Sequence, residues 1–199
     1  PKRSDVLSVF AGLRPLAAPR SGGKKTKEIS RSHKLIREKS GLITIIGGKW
    51  TTYRKMAQDT LDLAIRYMHI PTKDCITERY QIHGSRKNPD FSDPLYVYGT
   101  DADEIRNLVA SSPAMAEKLH PDYAYTVGEV TWLVRNEMPR TLEDVLARRL
   151  RILFLDARAA MAMAPKVAGI LATEWGKDET WTSAQVKAFN EVASNYILN

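Results

Sequence analysis

The sequence predicts an α+β fold, with a few N-terminal strands and one helix followed by an all-α C-terminal domain. Three observations lead there. Apolar β-branched runs bounded by glycine sit before Trp50, as in Ile43, Thr44, Ile45 and Ile46, and such runs read as strands. Beyond Asp101, apolar residues recur at helical spacing between capping signals. Charge divides along similar lines: residues 1–70 hold 15 Lys and Arg against 5 Asp and Glu, residues 71–199 hold 15 against 18, and the overall net charge is +7. These shifts set the expected domains at 1–70, a linker at 71–88, and a helical domain at 89–199.

Taken in order, residues 5–16 alternate loosely and read as a strand ending at Pro15. Residues 17–27 form a loop punctuated by Pro19, Gly22 and Gly23 and solvated by Lys24, Lys25 and Lys27. A second strand is expected over 28–37 and a turn over 39–41. Residues 42–46 are a short apolar run of the kind covered on both faces. A helix follows over about 51–68, with Met56, Leu61, Ala64, Ile65 and Met68 near one stripe and Pro71 just past its end. Pro71, Gly84, Pro89 and Pro94 then interrupt any periodicity.

The helical part opens at Asp101, with Asp103 and Glu104 in the first turn, where acids complement the helix dipole. A helix over 126–136 buries Val127, Val130, Leu133 and Val134, and Thr141 with Asp144 resembles a capping box. Residues 154–175 are alanine-rich; Pro165 predicts two helices meeting there, because proline lacks the N–H that an unbroken helix needs. Thr182 with Gln185 predicts the cap of a last helix running to about Tyr196.

Composition narrows the function. No apolar run reaches the ~18 residues that span a bilayer, and no secretory leader opens the sequence. The single cysteine, Cys75, excludes an internal disulfide and fits a reducing compartment. No Cys or His spacing suits a metal, so none is assigned. The basic first part would attract an anionic ligand.

The most informative stretch is residues 41–54. A buried strand runs into Gly47 and Gly48, then Lys49, Trp50, Thr51 and Thr52, then a helix. Glycines allow close approach of a ligand to the backbone, and a helix start offers unpaired N–H groups that favour an anion. A P-loop is excluded: the motif needs Gly where Ile43 stands and Ser or Thr where Trp50 stands. No G-x-G-x-x-G occurs, so a Rossmann fingerprint is excluded too. On spacing alone, an ordinary glycine-rich turn competes equally with a ligand site, and Thr51 and Thr52 could simply cap the helix.

Residues 41–54 resemble the C-terminal flavin-contact segment of FAD-dependent glycerol-3-phosphate dehydrogenases. Residues 9–16, VFAGLRPL, are similar to the strand bearing an active-site arginine in that family, and residues 29–33, ISRSH, to a second arginine-bearing strand. Residues 129–138 and 141–149 match its helical C-terminal domain. The blocks follow the family's order and span most of the chain. What is missing is the Gly-rich strand–loop start that binds the ADP half of FAD, so the resemblance implies a C-terminal portion of such an enzyme, inactive by itself and a poor holder of FAD.

The resemblance implies oxidation of sn-glycerol 3-phosphate to dihydroxyacetone phosphate by hydride transfer to FAD. Arg14 takes the catalytic role beside the reacting hydroxyl, and Arg31 the phosphate, for which a planar guanidinium is suited. Lys49 serves substrate or cofactor, and Gly47, Gly48, Trp50, Thr51 and Thr52 the flavin. His33 is a local candidate for the base, which the resemblance otherwise leaves to the missing part. Quinone is the acceptor usual for the family. A homodimer and peripheral membrane contact stay open, and the expected location is cytoplasmic or on the inner membrane face. Two other readings compete: a non-catalytic helical interaction or dimerisation module, and a basic nucleic-acid binder using Lys24, Lys25, Lys27, Arg31, Lys34, Arg37 and Lys39. The second lacks any recognised nucleic-acid motif, and no nucleic-acid partner is expected.

Overall fold

Among the described residues, strand pairing in the first third of the chain is confined to one hairpin. The computed structural model describes residues 2–13 and 32–198. The chain divides into two units, Gly12–Ile82 and Pro1–Ala11 with His83–Asn199. Arg14 and Arg31, and the first part of the strand expected over 28–37, lie outside the described residues.

In the unit Gly12–Ile82, β1 (Lys34–Arg37) and β2 (Ile43–Ile46) pair antiparallel, in register from Lys34 opposite Ile46 to Arg37 opposite Ile43. The Glu38 N–H donates to the Leu42 carbonyl at 2.9 Å and the Gly41 N–H to the Glu38 carbonyl at 3.0 Å, a tight turn in which Gly41 takes φ +91°. Full coverage of residues 42–46 is not observed. The sheet has two strands, so a second packing layer is missing among the described residues, and Leu42 and Ile45 are exposed. A 3₁₀ turn, Trp50–Thr52, leads into α1 (Tyr53–Met68). The helix stops as its spacing predicts: His69 turns left-handed at φ +53° and its N–H closes on the Ile65 carbonyl. The Arg37 guanidinium lies 3.9 Å from the centre of the Tyr67 ring, joining hairpin to helix by a cation–π contact. Arg54 on α1 reaches Gln58 at 2.9 Å, Thr77 at 3.2 Å and Glu78 at 3.4 Å, so the loop beyond the helix is tied back to it.

The unit Pro1–Ala11 with His83–Asn199 is helical. After a 3₁₀ turn at Tyr96–Asp101 come α2 (Ala102–Ala110), α3 (Pro113–Ala116), α4 (Val127–Asn136), a π-helical segment Asp144–Arg149, α5 (Ile152–Leu155), α6 (Ala157–Trp175) and α7 (Glu179–Ser194). Ile105, Leu133, Leu146, Ile152, Met163 and Leu171 are fully buried where α2, α4, the π segment, α5 and α6 converge. Burying such side chains is worth about 1.5–3 kcal/mol each.

Several expected boundaries are corrected. The strand at 5–16 is absent among the described residues: Arg3–Asp5 is a 3₁₀ turn and Val6 to Leu13 is unpaired by any strand. Helix ends provide its partners instead. The Leu7 carbonyl accepts from the Ala157 N–H at 3.1 Å, the Val9 N–H donates to the Tyr196 carbonyl at 2.8 Å, and Ser8 Oγ donates to the Leu153 carbonyl at 2.7 Å. Helix termini have unpaired backbone groups to offer an extended segment, and Phe10 meets Phe154 edge to face, with ring centres 5.1 Å apart. Pro165 does not divide its helix; α6 runs through it. Proline is exposed there while Ala164, Val167 and Ala168 are fully buried, so burial on one face outweighs a penalty of ~3 kcal/mol. The break falls at Asp156, whose carboxylate caps α6 by accepting the Ala159 N–H at 2.9 Å. The last helix opens at Asp178, which accepts the Trp181 N–H at 2.8 Å, while Gln185 is drawn off to accept the Leu142 N–H at 3.2 Å. Asp101 makes no cap bond, because its carboxylate meets His83 at 2.8 Å. The Thr141–Asp144 box forms in both directions, at 3.2 and 3.0 Å. Thr126 caps α4 by accepting the Glu129 N–H at 3.2 Å.

Glu129 is 5 % exposed, and its Oε1 accepts the Tyr98 hydroxyl at 2.6 Å. Burial holds this carboxyl above the usual carboxylate range, against the opposing pull of Tyr98 and the Thr126 N–H. The folded state thus keeps the proton where the unfolded chain has released it. From about pH 4.3 up to the raised value, stability falls as pH rises, and the full penalty persists above that window. Glu129→Gln is expected to flatten this slope in urea midpoints measured across that window; an unchanged slope would assign it to other groups. Among the described residues, no helix is long and apolar enough to cross a membrane.

Candidate functional site

The 47–52 turn follows from the order of its residues. β2 delivers the chain to Gly47 at φ +73° and Gly48 at φ +89°, conformations that side-chain-bearing residues resist. A Cβ on Gly48 would lie 2.5 Å from Met56 Sδ and 3.3 Å from His33 Cβ, so the backbone there rests directly on those two side chains. Lys49 returns to extended geometry and the 3₁₀ turn begins.

Thr51 and Thr52 do not cap the helix. Neither the 3₁₀ turn nor α1 has a side-chain cap bond, and Thr52 Oγ1 donates to the Lys49 carbonyl at 3.0 Å instead. The Thr52 N–H is also spent on Lys49, at 3.0 Å. Among the described residues, the N–H groups of Lys49, Trp50 and Thr51 have no acceptor. Around them the surface is open: Trp50 is 87 % and Tyr53 57 % exposed, their rings 5.8 Å apart and inclined at 32°. Lys49, Thr51 and Thr52 are exposed as well. Open amides, an electropositive helix end, two aromatic faces and a cation together suit a flat, electron-rich or anionic ligand.

The structure therefore brings Gly47, Gly48, Lys49, Trp50, Thr51 and Thr52 into one surface. The placement of Arg14 and Arg31 lies outside the described residues. What sequence reasoning missed is Asp59. Its Oδ2 meets His33 Nε2 at 3.0 Å and its Oδ1 meets Lys55 Nζ at 2.8 Å. Lys55, followed by His33, holds the Asp59 carboxyl below the usual carboxylate range. The Lys55–Asp59 spacing of one helical turn was visible in the sequence; the reach to His33 was not. Among the described residues no group of three or more His, Cys, Asp or Glu is placed to hold a metal.

Residues 42–182 match the family described as the C-terminal domain of alpha-glycerophosphate oxidase, a span that includes the turn and most of the helical unit. The chain is 36 % identical to "Probable glycerol-3-phosphate dehydrogenase, mitochondrial" of Caenorhabditis elegans, over 98 % of this chain and 29 % of the relative. It is 32 % identical to "Glycerol-3-phosphate dehydrogenase SDP6, mitochondrial" of Arabidopsis thaliana, over 98 % and 38 %. With "Glycerol-3-phosphate dehydrogenase, mitochondrial" of Mesocricetus auratus it shares 31 % identity, over 98 % and 29 %. The chain thus spans about a third of the length of these relatives. From a strand, a left-handed glycine pair and an uncapped helix start to the helices beyond, it belongs to the glycerol-3-phosphate oxidase/dehydrogenase family, as its C-terminal domain.

Proposed function

We propose that this chain serves as the C-terminal part of an FAD-dependent enzyme oxidising sn-glycerol 3-phosphate to dihydroxyacetone phosphate, with quinone as electron acceptor. The observation that carries the reading is the uncapped 47–52 turn, where the N–H groups of Lys49, Trp50 and Thr51 have no acceptor among the described residues. It lies inside the span matched by the family. Relatives named for glycerol-3-phosphate dehydrogenase align along nearly the whole chain. The N–H groups of Lys49, Trp50 and Thr51 beside the exposed rings of Trp50 and Tyr53 fit an electron-rich ring edge.

When bound, the flavin supplies a hydride acceptor. The chain's residues supply position and charge. The N–H groups of Lys49, Trp50 and Thr51, at the positive end of α1, stabilise negative charge on a ring edge. Trp50 and Tyr53 offer flat apolar cover, and Lys49 adds a cation. Arg31 pairs with the substrate phosphate through its two-pronged guanidinium, and Arg14 stabilises charge on the reacting oxygen.

Arg31→Ala in the full-length protein tests the assignment. Losing a charge-assisted pair of hydrogen bonds costs about 1.5–3 kcal/mol, so KM for glycerol 3-phosphate is expected to rise about 10- to 100-fold. Flavin content, read from visible absorbance, is expected to stay intact. Normal KM and turnover would remove Arg31 from the site.

A further inference from the structure

His33 gives the turn a second anchor. It immediately precedes β1, and its Cβ lies against the position where Gly48 lacks one. Its Nε2 engages Asp59 Oδ2 at 3.0 Å. An ionised carboxylate only accepts, so Nε2 carries the proton and donates. Asp59 stands on α1, and its other oxygen is held by Lys55 at 2.8 Å. The His33 side chain is 20 % exposed and that of Asp59 29 %, so the pair is partly buried. Met56 fills the remaining space under Gly48. The glycine turn thus spans two elements, and the imidazole–carboxylate bond joins one directly to the other.

We propose that His33 and Asp59, steadied by Lys55, are positioning residues that hold the 47–52 turn in register, so that its free amides converge on one ligand edge. The proposal rests on the flavin reading only for the identity of that ligand. The bond to Asp59 fixes the imidazole against Gly48, and the residue works through the Gly48 backbone. A site that stabilises developing charge depends on donors kept in place beforehand, and supporting hydrogen bonds keep them there.

Amide hydrogen exchange on the 199-residue chain tests this without any cofactor. His33→Leu removes the donor at similar bulk, and exchange of the Thr52 and Tyr53 amides, which are bonded to the Lys49 and Trp50 carbonyls, is expected to quicken about tenfold, a local opening in a unit that otherwise stays folded. His33→Gln places an amide N–H near the position of Nε2 and is expected to restore wild-type exchange. Amides in the middle of α1 in the same samples report the folding of this unit and are expected to stay protected. In the full-length flavoprotein, His33→Leu is expected to shift the flavin potential to more negative values, because misaligned amides stabilise the reduced anion less, and His33→Gln is expected to return it. Unchanged exchange in His33→Leu, or failure of His33→Gln to restore it, overturns the positioning role whatever the flavin does. A wild-type full-length protein that binds no flavin overturns the cofactor reading instead, and leaves the exchange result to decide the role of His33.

Discussion

Gly99→Ala is expected to destabilise the helical unit by about 3 kcal/mol or more, lowering its melting temperature by about 10 °C. Gly99 adopts φ +56° and ψ −120° inside the 3₁₀ segment before α2, a combination that L residues avoid. A Cβ there would fall 1.6 Å from the Gly84 carbonyl oxygen and 2.7 Å from its carbon. Both are backbone atoms, so no side chain can swing aside, and the Thr100 N–H holds the same carbonyl in place at 3.2 Å. Relief requires parting the Gly84 loop from residues 96–101. That movement would pull Tyr98 from Glu129 and from Trp132, whose ring lies 5.8 Å away. Gly169→Ala is the matched control. It lies within α6 with nothing within 4 Å of an added Cβ, and is expected to stabilise by about 0.5–1 kcal/mol through helix propensity. Thermal melts of the two variants should move in opposite directions; a common direction would mean that the close approach of Gly84 and Gly99 does not govern this region.

The second large effect is expected at Gly48. In Gly48→Ala the clash with Met56 Sδ at 2.5 Å is the lesser problem, because the end of a methionine side chain can rotate away. The backbone is the greater one. At φ +89° alanine carries about 1–3 kcal/mol of strain, relieved only if the turn opens and its amides swing off line. FAD retained by the full-length protein is therefore expected to fall about 10- to 100-fold, measured as the ratio of flavin absorbance to protein. Adding Met56→Ala removes the clash and leaves φ unchanged, so the double variant is expected to bind flavin no better than the single one. Full recovery in the double variant would show that packing, and not backbone conformation, sets the site.

How legible the site was depends on the range of each interaction. Gly47, Gly48 and the helix after them could be read directly, since left-handed turns and helix starts are written in adjacent residues. The roles of Thr51 and Thr52 could not. Threonine is a good cap by type, yet Thr52 spends its hydroxyl on Lys49, and only coordinates reveal which acceptor a hydroxyl chooses. The same competition displaced two other expected caps, as His83 engages Asp101 and Leu142 engages Gln185. Pro165 was read by its local penalty, and the buried face of α6 overrode it.

By itself, the sequence determined the α+β character, the strand–glycine–helix turn, the hydrophobic stripes of α4 and α6 and the family resemblance, because each rests on spacing within a few turns of chain. Tertiary structure alone decided that residues 6–10 dock on helix ends, that Asp59 finds His33 across 26 positions, and that Gly84 and Gly99 meet. Those contacts join residues distant in sequence. Their energy depends on how packed elements bring backbone and side chains together, which no local pattern encodes.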